Sequence, residues 1–426
     1  MPSAREVALN ALYKIEVGES YSNLTIDKEL NKSELSPLDK ALVSQVVYGV
    51  LTWKLALDEI IKRYSSIRIK KISPWILNIL RMGIYQIAFL DRIPESAAVN
   101  ESVKLAKKYG HEASSKFTNA ILRKISKNEY EKLTDYISKS TYTEEECMAI
   151  LTSHPVWMVE KLLKDYDKKF VMELLNANNV KPDITIRANT IKNSREDLKK
   201  LFYLKQVEYT EGSLPDSLIL KRLNQFDEQL YIVQDEAAQL ACLKLDPQEN
   251  EIVLDACSSP GGKTTYLSAL MHNTGQIDAW DIHEHRVELV KQTAKKLGAT
   301  NIICSVVDST EYHQGLKERY DRVLLDVPCS GLGVIRKKPD IKWARKESDT
   351  VDILEIQAKI LECGAEYLKR GGVLVYSTCT VLKDENERQI EKFLAVHPGF
   401  ELVEDIKLFP HIDKTDGFYI AKLIKK

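Results

Sequence analysis

Apolar residues in the first part of the chain recur at helical spacing. Between residues 74 and 90, Leu77, Leu80, Ile84 and Ile87 follow one another at intervals of three and four, which places them on one face of a helix. Helix starts accompany the pattern. Ser36-Pro37-Leu38-Asp39 offers a serine cap, a proline at the first helical position and an acid at the third, and Ser73-Pro74 repeats the opening. Ala97 to Lys108 and Ala113 to Lys124 continue the pattern, whereas Ser126 to Ser140 reads as a polar, charged exit. Strand-like alternation is scarce, so residues 1–140 are expected to form an all-α bundle.

The character then changes. His154-Pro155 and Lys181-Pro182 punctuate the chain, and Ile184, Ile186 and Ala188 alternate with polar neighbours as in a half-buried strand. Ser217 to Leu220 is another short apolar piece, and residues 141–230 are expected to form a small α+β linking module. From residue 231 short apolar runs alternate with helical stretches: Ile252-Val253-Leu254, Gly275 to Trp280, Ile302 to Val307, Val323-Leu324-Leu325 and Gly372 to Tyr376. This predicts a Rossmann-like α/β domain over residues 231–426, built on a doubly wound parallel sheet. Such sheets bind ligands beyond the carboxyl ends of their strands. Asp255, Asp281, Asp308, Asp326 and Cys379 all fall at those ends.

Bulk composition adds bounds. A chain of 426 residues suits two or three domains, and 44% hydrophobic with 29% charged residues is ordinary for a globular protein. The most apolar run, Pro74 to Leu90, is interrupted by Asn78, Arg81 and Gln86, so no membrane span is expected. Met1 to Asn10 carries Arg5 and Glu6 with no apolar run behind it, so no secretory leader is expected and the cytoplasm is the expected compartment. Seven cysteines, an odd number without a CxxC pair, suit reduced thiols better than disulfides or a zinc site, and no metal is expected. The net charge of −1 is uninformative, but residues 1–140 hold 22 Lys and Arg against 16 Asp and Glu. A basic first third suits a module that faces a polyanion. Lys62, Arg63, Arg68, Lys70 and Lys71, and the run Arg336-Lys337-Lys338, could grip phosphates; a solvated face is the plainer reading of each.

The candidate chemistry lies in two places. The first is the turn after the strand ending at Asp255, with Cys257, Ser258, Ser259, Pro260, Gly261, Gly262 and Lys263. Glycines there let backbone approach a ligand, and Asp281 lies about 20 residues on, where a dinucleotide fold places the acid that binds ribose hydroxyls. An adenosine-bearing ligand is implied. A phosphate-binding P-loop would need glycine where Cys257 stands, and the G-x-G-x-x-G of nicotinamide enzymes is absent. The second place holds Asp326-Val327-Pro328-Cys329 and Ser377-Thr378-Cys379, two thiols at the ligand-binding edge. Cys147, Cys242, Cys304 and Cys363 are expected to be buried small hydrophobes, and Cys257 to pack in its loop. Methyl transfer to carbon 5 of cytosine would use such a pair. A thiolate adding at carbon 6 makes carbon 5 nucleophilic toward a sulfonium methyl, a carboxyl supports the addition at the ring nitrogen, and a second group helps remove the proton at carbon 5. Spacing alone does not rank Cys379 over Cys329 as the nucleophile.

Pro260-Gly261-Gly262-Lys263-Thr264, the stretch Asp326 to Arg336, Pro339-Asp340-Ile341-Lys342-Trp343 and Ser377-Thr378-Cys379, in this order, resemble the RNA cytosine-5 methyltransferases, most closely their Sun/Fmu (B-type) branch. The resemblance covers nearly the whole chain. Tyr48-Gly49, Leu80 to Gln86, Val99-Asn100-Glu101 and Asn119 to Arg123 resemble that branch's NusB-like RNA-binding domain. His154-Pro155, Arg187-Ala188-Asn189 and Val233-Gln234-Asp235 resemble its linking module, and Asp416 to Tyr419 its closing strand motif. The resemblance implies S-adenosylmethionine held by the Cys257–Lys263 loop, Asp281, Asp308 and Asp326. It further implies Cys379 as nucleophile, Cys329 as an aid to product release, and an unpaired cytosine of small-subunit (16S) ribosomal RNA as substrate, with the chain acting as a monomer. Ser258-Ser259 departs from the alanines frequent in the family. A transfer RNA methyltransferase and a non-catalytic assembly factor are the competing readings; the second would let the site decay, yet both thiols and all four strand-end aspartates are present.

Overall fold

The computed structural model describes residues 2–18, 22–222, 227 and 229–426. It divides into two compact units: Met1–Val180 with Lys337–Arg345, and Lys181–Arg336 with Lys346–Lys426. This division does not follow the expected boundaries at 140 and 230, because residues 141–180 and a short stretch far along the sequence fold with the first unit.

Among the described residues the first unit is helical. In order come α1 (Ala4–Gly18), α2 (Ser22–Asn31), α3 (Pro37–Tyr64), α4 (Pro74–Phe89), α5 (Glu95–Tyr109), α6 (Glu112–Leu122), α7 (Glu129–Ser138), α8 (Glu144–Thr152), α9 (Val156–Leu163) and α10 (Lys168–Asn178). Ser36 caps α3 as expected, its hydroxyl accepting from the Asp39 amide, with Pro37 in the first turn. Ser73 precedes Pro74 at the start of α4 but makes no side-chain cap bond. Leu77, Leu80, Ile84 and Ile87 are buried in one core with residues of α1 and α3. The stretch expected to be a polar exit is instead α7, which buries Leu133 and Ile137, each worth roughly 1.5–3 kcal/mol. Its four-residue spacing was hidden by the many charges on the opposite face.

Helix α3 breaks at Trp53, whose φ of −107° and ψ of 16° are not helical. Two carbonyls and two amides released there find other partners. The Leu51 carbonyl accepts from Trp343 Nε1 at 2.6 Å and the Thr52 carbonyl from Lys342 Nζ at 2.7 Å. The amides of Leu55 and Ala56, which would otherwise have bonded those carbonyls, donate to Ser153 Oγ. Lys342 and Trp343 lie on the short helix α15 (Ile341–Ala344), and Asp340 before it accepts from the Ser22 hydroxyl at 2.6 Å.

In the second unit, β1 (Ile184–Ala188), α11 (Arg195–Leu204), β2 (Tyr209–Glu211), β3 (Ser217–Leu220) and β4 (Tyr231–Val233) form a small antiparallel sheet of order β2-β3-β1-β4 with one helix. The larger sheet follows through α12 (Glu236–Leu245), β5 (Ile252–Asp255), α13 (Gly262–Leu270), β6 (Gln276–Asp281), α14 (Glu284–Leu297), β7 (Ile302–Val306), β8 (Tyr320–Asp326), α16 (Asp349–Tyr367), β9 (Leu368–Thr378), α17 (Glu387–Val396), β10 (Phe400–Leu408), α18 (Pro410–Asp413) and β11 (Phe418–Lys425). Its order is β10-β11-β9-β8-β5-β6-β7. The five strands from β9 to β7 are parallel, as expected, but β11 runs antiparallel to both β9 and β10. The fold is therefore Rossmann-like on a mixed sheet. The link from β10 to β11 is too short for the crossover that a parallel pair needs, so the chain turns straight back. Strand order reverses at β5, which lies between β6 and β8. Among the described residues no helix is long and apolar enough to cross a membrane.

Candidate active site

The five residues expected at strand ends are there. β5, β6 and β8 end on Asp255, Asp281 and Asp326; Asp308 lies two residues past β7 and Cys379 one past β9. All sit on the carboxyl side of the reversal point, where an open α/β sheet leaves its crevice.

The turn between β5 and α13 is shaped by Gly261, whose φ of +98° lies in the left-handed region and whose amide donates to the Ser258 carbonyl at 2.7 Å. Helix α13 begins at Gly262. Ser258 spends its amide and hydroxyl on the Trp280 carbonyl, at 2.8 and 2.9 Å, so this extra hydroxyl faces β6. Ser259 is half-buried and Pro260 exposed. The Thr264 hydroxyl donates to Asp255 Oδ2 at 2.7 Å, while Asp255 Oδ1 is buried without a partner. Burial raises the Asp255 carboxyl to about 7, against the pull of that hydrogen bond. Burial and the carboxylates of Asp255, Asp326 and Asp281 push the Cys257 thiol well up, which suits a packing role.

Lys263 reaches across to Asp326, Nζ to Oδ2 at 2.7 Å, and the Ser377 hydroxyl donates to Asp326 Oδ1 at 2.9 Å. Burial disfavours the Lys263 ammonium, but the Asp326 carboxylate more than offsets this and holds its pKa above the usual lysine range. Asp281 accepts from the His283 amide at 3.1 Å, with the Arg286 guanidinium 4.0 Å away. The Thr310 hydroxyl and amide, at 2.6 and 2.9 Å, hold the Asp308 carboxyl below its usual range.

The two candidate thiols meet. Cys329 Sγ and Cys379 Sγ are 3.2 Å apart. The hydrogen bond with Cys379, then burial and the carboxylates of Glu385 and Asp326, push the Cys329 thiol well up. Cys379 instead lies within the field of the Lys263 ammonium. A backbone clasp fixes the end of β9: the Gly333 amide donates to the Cys379 carbonyl at 2.9 Å, and the Gly417 amide to the Gly333 carbonyl at 2.8 Å.

Two groups escaped the sequence reading. Glu385 is buried and accepts from the Ser330 amide at 2.8 Å and from Gln357 Nε2 at 3.0 Å. Asn386 accepts from the Thr378 hydroxyl at 2.6 Å and donates to the Thr380 carbonyl at 3.1 Å. They flank the two thiols, yet Lys383-Asp384-Glu385-Asn386-Glu387 reads as an ordinary solvated charge run. Arg336 corrects an expectation. Its side chain lies between Asp235 and Asp416, at 3.6 and 3.2 Å, and is not presented to phosphates. Lys62 pairs with Glu59 and Arg63 with Glu129, whereas Arg68, Lys70 and Lys71 are exposed. Of the four cysteines expected to be buried, Cys242 and Cys363 are, and Cys147 and Cys304 are half-buried.

The pocket residues fit S-adenosylmethionine. Four carboxylates around one crevice suit a sulfonium cation, a carboxylate at the end of β6 suits ribose hydroxyls, and the unpartnered Asp255 Oδ1 leaves an acceptor for a donor.

Comparison with known proteins agrees. Residues 242–424 match the family described as 16S rRNA methyltransferase RsmB/F, residues 2–127 the NusB family, and residues 154–227 the ferredoxin-like domain of RsmF/B-like methyltransferases. The chain is 34% identical over all its length, and 99% of the relative's, to a probable ribosomal RNA small subunit methyltransferase B of Bacillus subtilis. It is 35% identical, over the whole of both chains, to the protein of the same description in Synechocystis. The crystal structure of PH0851 superposes with a TM-score of 0.82 at 27% identity, covering 98% of each chain. A methyltransferase homologue from Pyrococcus horikoshii gives 0.60 at 28% identity, covering 67% of this chain and all of its own. The chain belongs to the RsmB/F family of 16S rRNA methyltransferases, whose cofactor is S-adenosylmethionine.

Proposed function

We propose that the protein methylates carbon 5 of a cytosine in small-subunit ribosomal RNA through a covalent bond between Cys379 and the base. The observation that carries this reading is the contact of two thiols beside the Lys263–Asp326 pair. The names of the curated relatives supply the substrate. Residues 1–140 would grip the RNA, residues 141–230 would link, and residues 231–426 would catalyse, in the cytoplasm and as a monomer.

The Cys257–Lys263 loop, Asp281, Asp308 and Asp326 would hold S-adenosylmethionine, which when bound supplies an electrophilic methyl group on sulfur. Cys379 Sγ adds to carbon 6 of the cytosine, aided by the Lys263 cation, which favours the thiolate. Asp326 supports the addition by a hydrogen bond or proton at the ring nitrogen, and so places electron density on carbon 5. After methylation a base takes the proton from carbon 5, the C–H electron pair re-forms the carbon 5–carbon 6 double bond, and the bond to Cys379 breaks with its electron pair returning to sulfur. Cys329, held in contact with Cys379, assists that release. The target base must be unpaired or extruded to reach the thiols.

The test is methyl transfer from isotope-labelled S-adenosylmethionine to unmodified, protein-free small-subunit ribosomal RNA, with the modified base mapped. A single 5-methylcytosine is expected. Transfer to transfer RNA instead would keep the chemistry and overturn the substrate. Cofactor binding without transfer to any RNA would favour an assembly factor.

A further inference from the structure

Strand β1 alternates, and alternation assigns Arg187 to the face turned away from Ile186. That face is not wet: Arg187 is 1% exposed. Among the described residues no carboxylate lies within ion-pair distance of its guanidinium, which bonds neutral acceptors only. One terminal nitrogen donates to the Gly262 carbonyl at 2.7 Å and to Gln234 Oε1, and the other to Thr265 Oγ1 at 3.3 Å. The group stacks 4.4 Å from the centre of the Tyr266 ring. Burial lowers its pKa to about 10, so it remains charged at neutral pH. The carboxylate that acts on it, Asp216, is bonded to the far end of the same ring, through the Tyr266 hydroxyl at 2.9 Å, so this buried cation lacks a direct ion pair, which is costly and calls for a reason.

Its acceptors give one. Gly262, Thr265 and Tyr266 form the first turn of α13, which continues the Pro260-Gly261 bend and sends Lys263 to Asp326. The Thr265 hydroxyl donates onward to the Gly261 carbonyl at 2.7 Å. The Gly262 carbonyl is therefore held from the side of the small sheet, and the Gly261 carbonyl by a hydroxyl that Arg187 itself contacts. Just past the end of β1, Asn189 Nδ2 donates to the Leu297 carbonyl at 2.8 Å, at the end of the next helix, α14. The small sheet thus grips both helices that flank β6.

We propose that Arg187 is a positioning residue for the cofactor: acting through the Gly262 carbonyl, it sets the Pro260–Lys263 turn in its binding shape before S-adenosylmethionine arrives. This rests on the reading that the Cys257–Lys263 loop holds the cofactor. The small sheet is then a wall of the cofactor site as well as a linker. A guanidinium is needed because two nitrogens must serve separate acceptors in a fixed fork, which an ammonium cannot do.

The test uses the full chain and S-adenosylmethionine. Arg187→Met keeps an unbranched apolar stem beside Tyr266 but removes the guanidinium, with its fork and its stacking. Its Kd for the cofactor, measured by titration calorimetry, is expected to rise about tenfold or more, the scale of one charge-assisted hydrogen bond. The KM for RNA is expected to stay put, and kcat at saturating cofactor to fall by no more than about threefold. Arg187→Lys should fall between. A folded Arg187→Met with an unchanged Kd overturns the proposal, as does a fall in kcat alone. If Arg187→Met does not fold, Arg187→Lys and Gln234→Leu, each weakening the same anchor, decide by the same criterion. Asp281→Ala separates the two readings. If it leaves the cofactor Kd unchanged, the assignment of the site fails; if it weakens binding and the Arg187 variants do not, only the role of Arg187 fails.

Discussion

The sulfur atoms of Cys329 and Cys379 lie 3.2 Å apart on the loops that follow two neighbouring parallel strands, β8 and β9. Two thiols this close share a hydrogen bond, so one thiolate is stabilised and a second is suppressed; the titration belongs to the pair. Glu385 and Asp326 oppose charge on Cys329, Lys263 interacts with Cys379, and Cys379 is the nucleophile in the proposed reaction. Cys379→Ala is therefore expected to bind S-adenosylmethionine normally and to show no turnover on ribosomal RNA. Methylation by that variant at the wild-type rate would sink the assignment of the nucleophile.

Asp255 carries a pH dependence. Its carboxyl stands at about 7 in the fold against 3.8 as the ordinary value. The folded state therefore holds a proton that the unfolded chain releases. The stabilisation is complete below about pH 4 and is lost as pH rises toward 7. Asp255→Asn, which mimics the protonated form, should remove this slope. Urea unfolding of wild type and variant at pH 5 and pH 8 should show their stability difference shifting in the variant's favour by on the order of 2 kcal/mol at the higher pH. Parallel behaviour at the two pH values would contradict a buried, raised carboxyl.

The clasp behind Cys379 admits no side chain at residue 333. A Cβ on Gly333 would lie 1.8 Å from the Gly417 carbonyl oxygen and 2.8 Å from that of Cys379. Gly333→Ala is expected to cost about 1–3 kcal/mol of stability and to lower kcat, because Gly417 must move and the backbone of Cys379, which carries the proposed nucleophile, must give as well. Gly315→Ala is the control: nothing lies within 4 Å of its Cβ position, and a change within about 0.5 kcal/mol is expected. Equal effects at both positions, read from thermal unfolding and single-turnover rates, would refute the clasp.

The break in α3 makes Ser153 and Lys342 partners without touching. Ser153 satisfies two freed amides, and Lys342 one of the two carbonyls they left. Ser153→Ala or Lys342→Met alone should cost about 1–3 kcal/mol, since each orphans buried backbone groups. Together they should cost less than the sum, because carbonyl and amide are then both free to re-form the helical bond. A strictly additive double-mutant cycle would show that the kink is fixed by other packing.

Much of this was legible in the sequence. Helix starts such as Ser36-Pro37 and the strand-end aspartates announce themselves because local chemistry dictates them: a cap must accept an amide, and a parallel strand must end at the crevice. What was not legible depends on distant partners. Arg187 sits at a position that alternation marks as wet, and only the packing of β1 on α13 buries it. Glu385 hides in a charge run, and Arg336 is taken up by Asp235 and Asp416, far away in sequence. The antiparallel return of β11 was missed because its apolar residues have no signature of direction.

Covalent catalysis by Cys379 is tested most directly in the Cys329→Ala protein. This variant, mixed with unmodified small-subunit ribosomal RNA and S-adenosylmethionine, is digested with nuclease and protease and examined by mass spectrometry. The expected result is a methylated cytidine bonded to the peptide that contains Cys379, because addition and methylation proceed while release is slowed. A nucleotide bonded to any other residue, or full turnover with no bonded peptide, would contradict it.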